Sequence, residues 1–393
     1  MQCLTPQRPS IKALIDGLRR HRPQHRLFST SQRSLQLKQV PFLSSWDQGV
    51  FEREAYLPSS PARLPRSADH IPPACSKWFI HDNDVDFVLT STSASTSNSS
   101  GRSKVHYPTS SELRTSFWAD HESTIVPLEI TSKDNGRKGE EVQQEESFRR
   151  IEAPLKVLLT YLSNPTSPDK GPSAGTQQSE HEHSIYLAQC DLTSLPPSVA
   201  DDIPIPLPLI STRSTTGSNH PSSSCGTETG NGTEKGTAKG TGKGVIKGDI
   251  YASSLWLGRP PTYTPLHRDP NPNLFIQLAG RKVLRLLPPD VGGAIFDDVQ
   301  NRIRTPSSRH VQRQTSSATI RGDEMMAGPE KEALHDAVWA ESGRDNRYSH
   351  VIRTYGLETA LELGDALFIP KGWWHSVKGV GQGVTASVNW WFR

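Results

Sequence analysis

Three residues in the C-terminal third of the sequence have the side chains and the spacing of a metal site. His267 and Asp269 lie two residues apart. Residues i and i+2 of a β-strand point to the same face, so one strand can present both side chains to one ion. His375 follows later, at the end of the segment Ile-Pro-Lys-Gly-Trp-Trp-His. Two imidazoles and one carboxylate are the ligand set of the facial triad that binds non-haem Fe(II) and leaves coordination positions open.

Each member of this set also has an ordinary structural interpretation. A His-x-Asp pair is common by chance, and a single histidine in a strand is more often a hydrogen-bonded core residue than a ligand. Only the combination of His267, Asp269 and His375 predicts a metal site. The four cysteines stand far apart without a CxxC pair, so the sequence predicts neither a zinc knuckle nor a disulfide framework.

The residues around the candidate ligands predict a set of short antiparallel strands. β-favouring runs bounded by Gly, Pro and Asn recur there, which is typical of a barrel or sandwich. The predicted strands cover residues 251–257, 263–267, 274–278, 282–287, 361–369, 374–377 and 384–392, and a helix is predicted over 330–339. Upstream, we predict short proline-terminated helices within 40–66, strands over 78–80, 85–89 and 185–189, and a helix over 148–162.

Composition divides the 393 residues into ordered and polar segments. Only 33% of the residues are hydrophobic, so a good part of the chain is not core. We predict a leader over 1–34, a flanking region over 35–210 with polar inserts at 90–103 and 163–183, a disordered Ser/Thr/Gly-rich linker over 211–248, and a core over 249–393 with an insert at 304–329. In the linker, Gly244 stands where a Walker A loop requires Ser or Thr, which excludes nucleotide binding by that motif.

The leader has the pattern of a mitochondrial transit peptide. Apolar residues within 11–18 follow helical spacing, and residues 1–40 contain eight Lys and Arg against the single acid Asp16. We therefore expect a mitochondrial protein, the alternative being a cytoplasmic or nuclear one with a disordered basic tail. The rest of the chain is net acidic although the whole carries +3, which disfavours nucleic-acid binding. No apolar run is long enough to cross a bilayer.

Three stretches near the C-terminal end carry a family resemblance. They are Thr-Pro-Leu-His-Arg-Asp-Pro-Asn-Pro-Asn-Leu-Phe-Ile-Gln-Leu-Ala-Gly-Arg-Lys from residue 264, Gly-Asp-Ala-Leu-Phe-Ile-Pro-Lys-Gly-Trp-Trp-His from residue 364, and Val-Asn-Trp-Trp from residue 388. Through them, residues 250–393 resemble a JmjC domain, the cupin-type double-stranded β-helix of Fe(II)- and 2-oxoglutarate-dependent oxygenases. Tyr-Leu-Ala-Gln at 186–189 is similar to a strand before the barrel in the hydroxylase subgroup exemplified by factor inhibiting HIF. The resemblance implies a mainly β fold with a jelly-roll core, flanking helices and disordered inserts.

Carried over by position, the resemblance implies a metal and co-substrate site. His267, Asp269 and His375 would bind the iron. Lys282, fifteen residues after the first histidine, would pair with the distal carboxylate of 2-oxoglutarate, because a lysine in an apolar barrel needs an anion. Further polar contacts to 2-oxoglutarate would come from the hydroxyls of Thr264 and Tyr186 at the distal carboxylate and from Asn273 and Asn389 near the metal-bound end. Gln189 and Trp391 match pocket-side positions of the subgroup.

The resemblance implies an enzyme that couples decarboxylation of 2-oxoglutarate, with O₂, to oxidation of a substrate, and we expect hydroxylation of a protein side chain. Asp269 where demethylases often have Glu, the short spacing to Lys282 and the lack of a reader or zinc module favour this over N-methyl-lysine demethylation. A non-catalytic metal-binding cupin-like interaction protein and an RNA-base hydroxylase remain alternatives. Many relatives dimerise through helices after the barrel. Since the sequence stops at Arg393, we do not expect dimerisation by that route.

Overall fold

The computed structural model describes residues 37–82, 110–134, 146–164, 181–210, 246, 248–303, 327–340 and 347–393. The predicted leader over 1–34, the insert at 90–103 and the strand over 85–89 lie outside these residues. So do nearly all of the linker over 211–248 and of the insert over 304–329. No helix in the described ranges is long and apolar enough to cross a membrane.

The described residues are rich in β-strands. In chain order the strands are β1 (Lys38–Gln39), β2 (Ala62–Leu64), β3 (Phe79–His81), β4 (Ser110–Leu113), β5 (Ile125–Asp134), β6 (Glu146–Pro154), β7 (His181–Asp191), β8 (Ile250–Gly258), β9 (Thr262–Arg268), β10 (Asn273–Ala279), β11 (Arg281–Leu287), β12 (Leu357–Leu361), β13 (Ala366–Ile369), β14 (Trp374–Val380), β15 (Gln382–Gly383) and β16 (Thr385–Phe392).

The helices lie between or before the strands, and most of them have one or two turns. They are α1 (Gln48–Phe51), α2 (Ala74–Lys77), α3 (Thr115–Trp118), α4 (Leu155–Ser163), α5 (Pro197–Ala200), α6 (Pro289–Ile303), α7 (Gly328–Trp339) and α8 (Ser349–Tyr355). A π-helical turn over Glu52–Tyr56 continues α1, and single 3₁₀ turns occur at Ala68–His70, Ala119–His121, Leu192–Ser194 and Leu207–Leu209.

Two sheets of antiparallel barrel strands form a double-stranded β-helix. The smaller sheet has the order β1-β12-β11-β14-β9, and the larger has the order β2-β13-β10-β16-β8-β7-β5-β6. From β8 to β16 the chain passes between the two sheets at most connections. Apolar side chains fill part of the space between them, including Leu284 and Leu286 of β11 against Phe275 of β10 and Leu367 of β13. This confirms the predicted mainly β jelly-roll fold.

Both sheets are covered on their outer faces, which fixes the barrel strands. All seven residues of β10 are buried, because the N-terminal region and α2 pack behind the larger sheet. Behind the smaller sheet lie α6, α7 and α8, whose apolar residues pack on Trp374 and Leu266. Gly292 of α6 sits directly against Trp374, where a Cβ atom would lie 2.2 Å from Cγ of the indole. The strands that carry the candidate ligands are therefore held by close packing.

The helix predicted over 148–162 is wrong in its first half. Residues up to Pro154 form β6, and α4 begins only at Leu155. A proline disfavours the helical conformation in the residue before it and clashes inside a helix, so it marks the boundary. The helical spacing of leucines applies from Leu155 onward, and the four leucines of α4 are buried.

Other boundaries also differ from the prediction. The run predicted over 361–369, with a turn at Gly364-Asp365, belongs to two strands in different sheets: β12 ends at Leu361 and β13 begins at Ala366. The predicted turn lies between them, and Gly364 there has a φ of +78°. Residues at the ends of the predicted inserts belong to ordered elements, since β7 begins at His181 and α7 at Gly328. Ile246, within the predicted linker, is buried, and its N–H donates to the Glu52 carboxylate at 3.1 Å. Helix α6 was not predicted from the sequence. The remaining barrel strands and α7 are found within a few residues of their predicted bounds.

Candidate active site

The three candidate metal ligands come from two neighbouring strands of the smaller sheet. His267 of β9 and His375 of β14 are directly paired across the ladder, and their ring centroids lie 4.2 Å apart. Asp269 comes one residue after the end of β9. The i, i+2 spacing and the pairing of the two strands thus bring the predicted set together at one end of the barrel interior.

The atoms of these side chains converge. Nε2 of His267 lies 3.9 Å from Oδ1 of Asp269, and Nε2 of His375 lies 3.7 Å from Oδ2 of the same carboxylate. One ligand atom from each residue lies within 4.8 Å of the others. The side chains are 9%, 12% and 4% exposed for His267, Asp269 and His375, so they are largely withdrawn from solvent. Such a set of donors can surround a single divalent cation.

Backbone carbonyls fix the orientation of both imidazoles. Nδ1 of His267 lies 2.8 Å from the Pro265 carbonyl oxygen, and Nδ1 of His375 lies 3.3 Å from the Trp373 carbonyl oxygen. A carbonyl can only accept, so each Nδ1 must donate its proton, and the lone pair of the neutral ring is then on Nε2. This is the arrangement that metal-binding histidines normally have.

The carboxylate of Asp269 is held by hydrogen bonds as well. Nδ2 of Asn273 donates to Oδ2 at 2.9 Å, and Asn389 donates to Oδ1 of Asn273 at 2.8 Å. Burial alone would raise the pKa of Asp269, but His375 and His267, with hydrogen bonds from Trp391 and Asn273, lower the pKa below its ordinary value. The group is therefore an anion that can bind a cation.

Lys282 brings a positive charge into the barrel interior. Its residue is 3% exposed, and its Nζ donates to Oγ of Ser387 at 2.6 Å and to the hydroxyl of Tyr186 at 3.4 Å. Within the described residues no carboxylate forms an ion pair with it, and burial lowers its pKa to about 7. A buried ammonium with only hydroxyl partners is suited to receive an anionic ligand.

One cavity connects the candidate ligands with Lys282. Every residue that the sequence analysis assigned to the site lines it, together with Gln189 and Trp391. Its remaining walls are mostly apolar. The lining residues that were assigned beforehand are Tyr186, Thr264, His267, Asp269, Asn273, Lys282, His375 and Asn389, and the apolar walls include Trp256, Phe275, Leu284, Ile369 and Val377.

Ser387 is the polar lining residue that the sequence analysis missed. It lies on β16 two residues before Asn389 and four before Trp391, so strand alternation places all three on the same face. This alternation along the strand could have identified Ser387 as a lining residue from the sequence. Trp374 and Trp390 are buried in the core, whereas Trp391 lines the cavity.

Similarity to known proteins covers residues well outside the candidate site. The profile of the family described as "Cupin-like domain" matches residues 51–393, which is more than half of the chain. The matched range begins at Phe51, the last residue of α1, so the part of the N-terminal region from there onward belongs to the shared domain together with the barrel.

Several curated proteins are similar over shorter stretches. Lysine-specific demethylase JMJ30 of Arabidopsis thaliana is 24% identical over 143 residues, 36% of this chain and 26% of that protein. Lysine-specific demethylase 8 of Xenopus tropicalis is 24% identical over 144 residues, covering 37% and 26%. JmjC domain-containing protein F of Dictyostelium discoideum is 25% identical over 244 residues, covering 61% and 41%. The match to the two demethylases thus spans about a quarter of their length.

Proposed function

The chain belongs to the cupin-like domain family, and on that basis we propose that it is an Fe(II)- and 2-oxoglutarate-dependent oxygenase that hydroxylates a protein side chain. The observation that carries the proposal is the presence of His267, Asp269, His375 and Lys282 in one cavity. Three metal-binding side chains alone would equally suit a protein that holds an ion without turnover. A buried lysine with hydroxyl partners in the same cavity adds a place for a dicarboxylate.

The donor set fits a ferrous ion. Two imidazoles and one carboxylate occupy three positions of an octahedral ion and leave three positions for a bidentate 2-oxo acid and O₂. Fe(II) with 2-oxoglutarate would supply the activation of O₂ that oxidises a substrate C–H bond to C–OH, with succinate and CO₂ as the other products. The carbonyls of Pro265 and Trp373 orient the two imidazoles for this role.

The far end of the cavity fits the distal carboxylate of 2-oxoglutarate. Lys282 would bind it as an ion pair, and the hydroxyls of Tyr186 and Ser387, which already contact Nζ, would donate to the same group. Thr264 lines the same cavity. The apolar walls, among them Phe275, exclude water and strengthen these charge interactions.

Demethylation of an N-methyl-lysine is the second candidate, because two similar proteins carry the name lysine-specific demethylase. The two reactions share the oxidation of a C–H bond, and demethylation then releases formaldehyde from the hydroxylated methyl group. Asp269 and the short spacing between His267 and Lys282 favour stable hydroxylation. Formaldehyde release with a methylated peptide would decide for the second candidate.

Turnover of 2-oxoglutarate tests the proposal directly. We expect purified protein with Fe(II) and ascorbate to form succinate, and we expect saturating 2-oxoglutarate, at about 100 times its Kd, to stabilise the metal-loaded fold by about 2.7 kcal/mol. Asp269→Ala and His375→Ala should abolish both effects while leaving the fold largely intact.

The matched control is Arg268→Ala, which changes the residue next to the carboxylate but on the outer face of the strand, where Arg268 is exposed over the Trp374 ring. This variant should keep turnover. A wild-type protein that binds metal but neither binds nor decarboxylates 2-oxoglutarate would support the non-catalytic alternative. If turnover is observed, the substrate could be identified by comparing the proteomes of wild-type and deletion cells for a one-oxygen modification that is lost in the deletion.

A further inference from the structure

Gly258 occupies a position where a side chain would collide with Tyr186. It is the last residue of β8, and a Cβ atom built there would lie 2.2 Å from Cδ2 and 2.8 Å from Cε2 of the tyrosine ring. The neighbouring pair Leu187 and Leu257 is in register between β7 and β8, so the ring lies against the end of the adjacent strand. The space left by the missing side chain is occupied by the ring.

The backbone itself does not require glycine at this position. Gly258 does not have the left-handed φ that is recorded for other glycines of the chain, such as Gly280 at +63°. An alanine could therefore adopt the same backbone conformation. An alanine would displace the Tyr186 ring, because 2.2 Å between its Cβ and Cδ2 of the ring is much shorter than a van der Waals contact.

The position of the ring determines where its hydroxyl lies. Tyr186 reaches across the cavity so that its oxygen is 3.4 Å from Nζ of Lys282, which in turn contacts Oγ of Ser387. The ring also packs near the indole of Trp256, with centroids 6.2 Å apart. Movement of the ring away from β8 would carry the hydroxyl away from the ammonium group.

We propose that Gly258 is a positioning residue for the dicarboxylate co-substrate: by leaving room for the Tyr186 ring, it places the phenol hydroxyl beside Lys282, where the distal carboxylate binds. This inference rests on the proposed function, because it assigns a ligand to the Lys282 end of the cavity. Gly258 itself touches neither the ligand nor the metal. Its effect passes entirely through Tyr186.

Binding of 2-oxoglutarate to Mn(II)-loaded protein, measured by titration calorimetry, tests the inference without turnover. We expect Gly258→Ala to weaken binding by about tenfold or more, the value of one hydrogen bond to a charged group. Tyr186→Phe should weaken it by a similar factor, and the double variant Gly258→Ala/Tyr186→Phe should be no weaker than either single variant. Mn(II) affinity should not change. Gly293→Ala, whose Cβ would meet nothing closer than 3.7 Å, is the control and should bind normally.

If Gly258→Ala folds poorly, thermal unfolding tests the inference in place of ligand binding. Removing the ring in Gly258→Ala/Tyr186→Ala should then restore the melting temperature toward that of Tyr186→Ala. Equal 2-oxoglutarate affinity of wild type and Gly258→Ala, losses that multiply in the double variant, or no rescue by Tyr186→Ala would each overturn the inference. A wild-type protein that does not bind 2-oxoglutarate would instead overturn the proposed function, and that result is obtained before any variant is compared.

Discussion

The ammonium group of Lys282 lies inside the barrel with hydroxyl partners, and this environment makes its charge sensitive to pH. Burial lowers its pKa from 10.5 to about 7, because the charged form loses hydration without gaining a carboxylate. The group is therefore largely charged below pH 7 and largely neutral above it in the ligand-free protein. A bound dicarboxylate favours the charged form, so binding the ligand at higher pH requires uptake of a proton.

We predict that the affinity of the Mn(II)-loaded protein for 2-oxoglutarate falls by more than about tenfold between pH 7 and pH 9, as the free-state lysine loses its proton. Titration calorimetry in buffers of different ionisation enthalpy would measure both the affinity and the proton uptake. Lys282→Arg keeps its charge throughout this range and should show a flat profile, even where its affinity is lower. An equally steep profile in Lys282→Arg would contradict this assignment.

Lys282 also makes the stability of the ligand-free protein depend on pH, but with the opposite sign: stability rises with pH, whereas the affinity for 2-oxoglutarate falls. Because its pKa is lower in the folded than in the unfolded state, the unfolded state binds more protons between about pH 7 and 10.5, and stability rises with pH in that window. The free energy of unfolding of Lys282→Met, measured as a function of pH, should lack this rise.

Single residues of the site were predictable to different degrees. The spacing of His267 and Asp269 was sufficient to place both on one face, whereas the position of Lys282 in the same cavity was implied only by the resemblance to the JmjC family. The hydrogen bonds of Asn273 were not predictable, since its amide contacts the Asp269 carboxylate and accepts from a second amide, Asn389, which lies on the neighbouring strand β16 but 116 residues later in the chain. Sequence spacing shows which face a side chain occupies but not which strand lies beside it.

At the scale of elements, α6 is the helix that supports the strand of His375. Its Gly292 contacts the indole of Trp374, the residue before the ligand, and the Trp374 Nε1 donates to the Pro289 carbonyl at 3.2 Å. Apolar residues of α6 such as Phe296 pack on the same indole. This helix was not predicted from the sequence, because its two adjacent glycines and five acidic and amide residues obscure the apolar periodicity.

We predict that Gly292→Ala destabilises the protein by about 1–3 kcal/mol, because the added methyl group would overlap the Trp374 ring at 2.2 Å. Gly293→Ala is a matched control one residue along the same helix. Its methyl group has room, so the better helix propensity of alanine should stabilise by about 0.5–1 kcal/mol. Urea unfolding followed by fluorescence would measure both changes. Equal effects of the two substitutions would show that helix propensity, and not packing on Trp374, decides the outcome.

At the scale of the whole molecule, the N-terminal region is joined to the barrel by strand pairing and charge. β2 pairs with β13 in the larger sheet, and Val40, next to β1, packs in the barrel interior. The sequence could predict the barrel, because its strands are local runs with clear turns. It could not predict this attachment, since residues near positions 40 and 365 meet only in the folded chain. The leader and the expected mitochondrial location remain predictions, because residues 1–34 lie outside the described ranges.

Asp365 is the charged centre of that attachment. Its carboxylate is 2.7 Å from the guanidinium of Arg63 and 2.8 Å from that of Arg66, and it accepts from the Glu362 N–H at 2.9 Å in the turn before β13. The aspartate side chain is 7% exposed and the two arginines are 16% and 18% exposed. The pair of cations is therefore partly buried, and it depends on this carboxylate for compensation.

Replacing Asp365 with Asn keeps the shape and one hydrogen-bond acceptor but removes the carboxylate that both partly buried guanidinium groups contact, with Glu362 as another acid near them. We predict a loss of about 3 kcal/mol in the free energy of unfolding, measured by urea titration. Asp249→Asn is the control, because it breaks an ion pair of similar length, 2.9 Å to Arg393, whose partners are half exposed and hydrated, and it should leave the midpoint unchanged. Equal destabilisation by both substitutions would mean that the Asp365 cluster is no more than a surface ion pair. A large loss confined to Asp365→Asn would identify this cluster as a contact that joins the N-terminal region to the barrel.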